Sequence, residues 1–219
     1  MAPYSQLDEL PQLIPVFPLD GALLLPGGEL PLQIFEPRYL NMIDDAMAGE
    51  RVIGMIQTRN GGDRERPHLA EVGCVGKITS YNETSDGCYL ITLTGVCRFE
   101  AGEELNLRLP YRQLRARYTR FGGDLGRDEK EEATAAARAR FAKALKRYLN
   151  YRQLYIDWET AQEAPLETLV NSLCMGLPFE PAEKQAFLEA PDLAGRFDVL
   201  TALLEISASD PDDASPRLQ

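Results

Sequence analysis

Short apolar runs interrupted by proline occupy the chain from Leu13 to Leu40. Each proline removes a backbone donor, so these runs predict brief edge strands and turns rather than helix. Gly27-Gly28 allows the positive φ of a tight reversal. From Pro37, which suits the first turn of a helix, the apolar positions take helical spacing until Gly49. The segment therefore predicts strands and turns followed by one helix.

Apolar runs separated by turn residues continue through the next fifty residues. The compact run 52–57 predicts a buried strand. Residues 58–68 contain two glycines and a proline without periodicity, and they predict a mobile surface loop. Residues 71–84 and 88–99 predict a hairpin, because Asp86-Gly87 between them is a strong turn signal.

Alternation also predicts which face each side chain occupies. In the strand 88–99, Phe99 shares one face with the other large apolar residues, and Arg98 lies opposite with two threonines. A last strand at about 110–119 alternates apolar residues with arginines. Residues 13–119 are therefore expected to be mainly antiparallel β, with enough strands to form a small closed sheet.

The pattern changes after a glycine-rich break at 121–128, which predicts a domain boundary. Helical spacing follows in four segments. The predicted helices are a long one at 129–155, a second from Pro165 to Gly176, a short third from Pro181, and a fourth along 193–204. The proline-broken end, 207–219, is expected to be disordered.

The order of several motifs resembles the Lon protease N-terminal domain, especially the bacterial stand-alone proteins that carry it without the protease. The first motifs are IPVFPL, a second run ending in Pro26-Gly27, and LPLQIFEPRY followed by a helix. Later, SLCMGLPFEPAEKQAFLE precedes a helix that carries Arg196 and Phe197. The resemblance covers about residues 11–206.

This resemblance implies an α+β fold. A PUA-like antiparallel β-barrel is expected over 11–120, and an α-helical bundle with one long helix over 128–206. The implied function is non-catalytic binding of unfolded or partner polypeptides, linked to proteolysis, through apolar surface between the two halves supported by loops 20–29 and 58–68. Two alternatives stay open. One is a small-molecule-binding or enzymatic domain using the cleft between barrel and bundle, and the other is RNA binding through the barrel.

Composition and charge restrict the kinds of partner that the protein is expected to bind. The chain has 219 residues, 44% hydrophobic and 26% charged, and a net charge of −11. An acidic protein repels phosphate backbones and anionic lipid, which weighs against nucleic acid and membrane. The N-terminus has neither a basic region nor an apolar core of a signal peptide, so a cytoplasmic protein is expected. The sequence does not fix an oligomeric state.

Residues for catalysis, metal binding or cofactor binding are not apparent. His68, the single histidine, lies among charged residues, and the four cysteines lack the spacing of a zinc site. The glycines of Gly73–Lys77 are too close for a phosphate loop, and Ile78 stands where a Mg²⁺-binding hydroxyl is needed. We therefore expect no enzyme, no metal and no cofactor, with the cysteines mostly buried as small apolar residues.

Two groups of residues are candidates for binding. Glu36, Arg38, Tyr39 and Arg98 are the candidate binding residues; the first three could line a cleft, or could instead fix the helix to the sheet. The second group is a cluster of basic and aromatic residues that could hold single-stranded nucleic acid or form a salt-bridged outer face. Its members are Arg108, Tyr111, Arg112, Arg115, Arg117, Tyr118 and Arg120.

The purified protein is expected to hydrolyse neither ATP nor casein. The chain lacks a phosphate loop, and no room is left after residue 206 for the ATPase and Ser-Lys protease modules of Lon. ATPase and casein-degradation assays on homogeneous protein check this expectation. ATPase activity that persists through purification and disappears in Lys77→Ala would overturn it.

Overall fold

The computed structural model describes residues 4–63, 66–105, 108–126 and 133–207. Its strands are β1 (Leu13–Pro18), β2 (Glu29–Ile34), β3 (Val52–Asp63), β4 (Arg66–Glu83), β5 (Tyr89–Leu105) and β6 (Arg112–Arg117). Its α-helices are α1 (Pro37–Ala48), α2 (Ala135–Arg152), α3 (Trp158–Glu163), α4 (Leu166–Gly176), α5 (Pro181–Glu189) and α6 (Leu193–Ser207), with 3₁₀ helices at Leu7–Glu9 and Thr119–Asp124. The predicted helical residues 129–132 and the predicted disorder after 207 lie outside the described residues.

Strand β5 closes the sheet into a barrel. It pairs with β4 along most of its length, with β2 near its start and with β6 near its end. Strand β6 also pairs with β1, and β1 pairs with β3, so the ladder returns to β4. The β1–β3 pair is parallel and the others are antiparallel, because β2 and α1 form a crossover between β1 and β3. The fold is α+β as predicted, with a mixed rather than an antiparallel barrel.

The loop between β1 and β2 is part of the core. Leu23, Leu24 and Leu25 are fully buried. Two glycines in the barrel wall make room for these leucines, because a larger residue would collide with them. A Cβ on Gly76 would lie 2.7 Å from Leu24 Cδ2, and one on Gly95 would overlap the Leu25 carbonyl oxygen. The expectation that this loop supports an exposed apolar surface is therefore wrong for its leucines.

Residues 58–63 and 66–68 belong to two paired strands, called here the β3–β4 ribbon, so the prediction of a loop is wrong for these residues. Arg59 pairs with His68 in the extension of the β3–β4 ladder. Gly61 and Gly62 adopt φ values of 110° and 79°, which only glycine takes without strain. Because polar residues fill this part of the ladder, the alternation that reveals a half-buried strand is missing.

Strand β2 lies at an edge of the sheet. It pairs with β5 on one side, and no strand in the described part of the chain pairs with its other side. The Gly95 N–H donates to the Gly28 carbonyl at 2.8 Å, which sets the alternation of the ladder. In an antiparallel ladder, successive residues direct their backbone N–H and C=O groups alternately toward and away from the paired strand. Since Gly28 points toward β5, the groups of Glu29, Pro31 and Gln33 point away from it. Proline thus stands at an outward position, where it costs β2 no hydrogen bond.

The described residues fall into two compact units. The first comprises the described residues up to 126 together with 171–189, and the second comprises 133–170 and 190–207. The division into domains at 11–120 and 128–206 stays a prediction, because compactness does not show which segments fold independently.

In the second unit, α2 packs against α6. The rings of Phe141 and Phe197 lie 5.0 Å apart at this contact. Helix α2 ends where Gln153 takes a left-handed conformation, two residues before the predicted end. Helix α3 was not predicted; Asp157 caps it by accepting from the N–H groups of Glu159 and Thr160. No helix in the described ranges is long and apolar enough to cross a membrane.

In the first unit, side chains of α4 and α5 bind main-chain carbonyls of the barrel. Lys184 Nζ donates to the Gly21 carbonyl at 2.6 Å, and Asn171 Nδ2 donates to that of Pro26 at 3.0 Å. Both acceptors belong to the loop that carries the buried leucines. Burial lowers the pKa of Lys184. These bonds make residues 171–189 an integral part of the first unit.

Gly95→Ala is expected to destabilise the protein by about 1–3 kcal/mol, because its Cβ would overlap a backbone carbonyl that cannot move aside. Gly123→Ala is the matched control, since a Cβ there meets nothing within 4 Å. The control should change stability by no more than about 0.5 kcal/mol. Urea unfolding followed by circular dichroism measures both, and equal stabilities would contradict the close approach.

Candidate functional site

A pocket of about 350 Å³ opens on the first unit. It lies where the end of β1, the start of α1, the β3–β4 ribbon and the segment between β5 and β6 meet. The lining residues are prolines, tyrosines, leucines, one threonine and three arginines: Pro18, Arg38, Tyr39, Thr58, Arg66, Pro67, Leu105, Leu109, Pro110, Tyr111 and Arg112. Its volume is at the lower end of about 300–1,000 Å³, the range typical of binding pockets.

Glu104 fixes two of these arginines from beside the pocket. It accepts from Arg112 Nη2 and Arg66 Nη2, each at 2.7 Å. Arg112 also donates to the Pro67 carbonyl at 2.7 Å, and its side chain is 15% exposed. The hydrogen bond from Arg112 lowers the pKa of Glu104, which keeps this carboxylate ionised. The cluster joins β4, β5 and β6 at one wall of the pocket.

The start of α1 supplies the other wall. Pro37 occupies the first helical turn. Arg38 pairs with Glu36 at 2.8 Å, and its guanidinium lies 4.7 Å above the centre of the Tyr39 ring. Tyr39 is buried, with its ring centre 4.2 Å from that of Phe17. Arg38 and Tyr39 line the pocket, Glu36 stands beside it, and the packing of Tyr39 on Phe17 attaches α1 to the sheet. The role of these residues in binding stays a prediction.

Tyr111 completes the floor as a neutral phenol. Its hydroxyl donates to Asp45 Oδ2 at 2.6 Å. Burial raises the pKa of Tyr111 to about 12, and the hydrogen bond to Asp45 acts in the same direction. Neither Tyr111 nor the ion-paired Glu104 has the properties of a general acid or base near neutral pH.

Arg98 lies elsewhere and is not among the residues that line the pocket. Its side chain is 2% exposed and pairs with Asp124 at 2.8 Å. It also donates to the Leu188 carbonyl at 3.0 Å, and its guanidinium lies 4.4 Å from the centre of the Phe121 ring. The structure thus brings Glu36, Arg38 and Tyr39 together but separates Arg98 from them. Its role as a binding residue stays a prediction, and its contacts are those of a buried structural ion pair.

Sequence reasoning missed Arg66 and Leu109 as pocket residues, and it assigned Arg112 to a different surface. Arg112 and Glu104 lie on paired strands, so their contact could have been inferred once the β5–β6 register was known. No sequence signal marks Arg66, because the polar start of β4 that carries it lacks the alternation of a half-buried strand.

The cluster of arginines and tyrosines does not form a stacking surface. Tyr111 and Tyr118 are both buried. The Tyr118 hydroxyl donates to the Pro11 carbonyl at 2.8 Å. Arg117 and Arg120 lie 4.0 and 3.9 Å from carboxylate oxygens of Glu100. Bases would find no exposed tyrosine ring here, which favours the interpretation as a salt-bridged outer face.

The remaining chemical candidates are structural. Gly73 and Gly76 lie within β4, and Lys77 Nζ donates to the Glu50 carbonyl at 2.6 Å. Cys74, Cys97 and Cys174 are buried as expected. Desolvation raises the pKa of Cys97 to about 12. Within the described ranges, no group of three or more His, Cys, Asp or Glu residues could hold a metal ion.

Comparison with known proteins identifies the family. Residues 13–205 match the model of the ATP-dependent protease La (LON) substrate-binding domain. The chain belongs to the Lon substrate-binding domain family. It is 26% identical over 208 residues to Lon protease 2 of Myxococcus xanthus, covering 90% of this chain and 24% of that protein. It is 30% identical over 111 residues to the Lon protease of Anaeromyxobacter dehalogenans, covering 49% of this chain and 13% of that protein. The chain thus spans a quarter or less of the length of these relatives.

Solved structures show the same fold. The Lon N-terminal domain protein from Xanthomonas campestris superposes with a TM-score of 0.62 at 20% identity, over 87% of this chain and 97% of that one. The N-terminal domain of the Mycobacterium avium complex Lon protease gives a TM-score of 0.59 at 20% identity, over 88% and 97% of the two chains. The expected resemblance to the Lon N-terminal domain is confirmed at the level of family and fold.

Glu104→Gln is expected to lower stability near neutral pH by about 1–2 kcal/mol, because it removes the charged acceptor of two arginines. The folded protein lowers the pKa of Glu104, so its contribution is present above the unfolded value and is lost as pH falls through the folded value. The variant should therefore approach wild type at about pH 3. Thermal unfolding across this range measures the difference, with the exposed Glu71→Gln as control. A constant gap at all pH values would contradict the assignment.

Proposed function

We propose that this chain binds unfolded polypeptide segments in the pocket lined by Tyr39, Leu109 and Tyr111. The observation that supports this function best is the composition of the lining, where seven of the eleven residues are prolines, leucines or tyrosines and no carboxylate takes part. Membership of the Lon substrate-binding domain family supports a polypeptide as the ligand. The proposed clients are protease substrates or partner proteins.

Apolar burial would provide most of the affinity. A side chain of the client would leave water among Leu105, Leu109 and Pro110, which gives favourable free energy without directional requirements. The arginines at the rim would donate to client carbonyl groups and so fix its path. Binding of this kind accepts many sequences, as a receptor for unfolded chains requires.

Other functions have less support. An enzyme needs a group poised to move protons or to attack, whereas the acid beside this pocket is ion-paired and its tyrosines are buried. RNA binding would need exposed aromatic rings and a continuous basic surface. We therefore propose a non-catalytic binding module.

Binding can be measured by fluorescence anisotropy with a labelled, unstructured peptide rich in leucine and tyrosine and free of charged side chains. Wild type should bind it weakly and saturably, with little dependence on salt, because the contacts are apolar. Leu109→Glu should weaken binding by roughly fivefold or more. Leu90→Glu is the control, since Leu90 is similarly exposed on β5 but does not line the pocket.

Three results would count against this function. They are saturable binding of single-stranded RNA without peptide binding, binding of neither probe, and equal effects of the two leucine substitutions. The last would place peptide binding on a surface other than the pocket.

A further inference from the structure

The pocket concentrates positive charge on a protein of net charge −11. Three of its lining residues are arginines. None of the lining residues, all of which lie in the described part of the chain, carries a carboxylate. The acids that pair with these arginines, Glu36 and Glu104, stand beside the pocket rather than in its wall. The charged groups in the pocket wall are therefore all guanidinium groups.

The three arginines differ in how firmly they are held. Arg112 is 15% exposed and donates to two separate acceptors, so it is fixed. Arg66 is more exposed, and its Nε and Nη2 atoms both donate to Glu104 Oε1. Arg38 is 43% exposed, and its partner Glu36 is 44% exposed. An ion pair so exposed contributes little to stability, so Arg38 can exchange its partner at low cost.

The geometry around Arg38 suits such an exchange. Its Nε and Nη2 atoms both bind Glu36 Oε2, at 2.9 and 2.8 Å. The guanidinium lies over the Tyr39 ring, which would keep it at the pocket wall while its partner changes. Glu36 acts in this arrangement as an internal substitute for an external carboxylate.

We propose that the pocket selects polypeptide segments in which an aspartate or glutamate adjoins an apolar residue. The client carboxylate displaces Glu36 from Arg38, and the neighbouring apolar side chain enters between Leu105 and Leu109. This inference rests on the proposed polypeptide binding and adds a preference to it. A planar guanidinium matches a carboxylate in a two-bond geometry, which favours this anion among the groups a polypeptide offers.

The apolar part of the lining distinguishes this ligand from a nucleic acid. A phosphate chain would bring repeated negative charge toward an acidic protein and would leave the leucines and prolines without contact. A client carboxylate brings a single charge together with apolar surface.

The test compares two labelled peptides that share leucine and tyrosine residues and differ at one central position, glutamate or glutamine. Wild type should bind the glutamate peptide roughly three- to tenfold more tightly. Arg38→Gln should abolish this preference, so that the glutamate and glutamine peptides bind with equal affinity. Glu36→Gln should enlarge the preference, because the internal competitor is gone. Arg38→Lys should restore it only in part.

Arg59→Gln is the matched control, because Arg59 is also an exposed arginine paired with a glutamate but does not line the pocket. It should leave the preference unchanged. Added salt should reduce the advantage of the glutamate peptide and leave the binding of the glutamine peptide nearly constant. Circular dichroism of each variant confirms that it is folded.

The possible failures are distinguishable. Equal binding of both peptides by wild type would overturn the preference and leave polypeptide binding standing, whereas binding of neither peptide would overturn both. Loss of both peptides in a folded Arg38→Gln variant would show that Arg38 is needed for peptide binding in general and would contradict its role in the preference. Loss of the preference in Arg59→Gln, weaker binding by Glu36→Gln, or displacement of the glutamate peptide by single-stranded RNA at lower concentration would each contradict the assigned exchange.

Discussion

A charged guanidinium in the barrel wall constrains the first unit. Arg98 lies on β5, the strand shared by β2, β4 and β6, and almost none of its surface meets water. Such a charge stays buried only when opposite charge and hydrogen-bond acceptors surround it. Asp124 and the Leu188 carbonyl meet this requirement from the 3₁₀ helix Thr119–Asp124 and from α5. The outer face of β5 is thereby closed by two segments that are distant in sequence.

Arginine side chains have two roles in this fold, and the exposed fraction of each side chain distinguishes the two roles. Arg98 and Arg112 are enclosed by acceptors, so replacing either would remove hydrogen bonds from a carboxylate and from a main-chain carbonyl. Arg38 and Arg66 stand in water on the rim of the pocket, where an exchange of partners costs little. The enclosed arginines connect neighbouring segments of the fold, whereas the exposed ones each pair with a carboxylate at the surface. An arginine count alone could not distinguish these roles.

Sequence pattern predicted the elements whose signals are local. The hairpin at Asp86-Gly87 and the helices that begin near Pro165 and Pro181 depend on turn and first-turn chemistry, and all three are present. The sequence pattern did not predict the features that depend on contacts between segments distant in sequence. Alternation placed Arg98 opposite Phe99 without showing that this opposite face is covered. The pocket is assembled from four separated segments, so the sequence indicated only the wall that contains Arg38 and Tyr39.

The outward position of Pro31 has a consequence for how copies of this protein meet. An open edge is a template on which a second chain can extend the sheet, and proteins with exposed edges risk assembling into fibres. On β2, outward N–H groups remain only at Glu29 and Gln33, about 13 Å apart along the strand. A neighbouring strand would bury one of its own carbonyls opposite the proline ring, without a donor. The edge of β2 therefore resists extension of the sheet by a second copy of the chain.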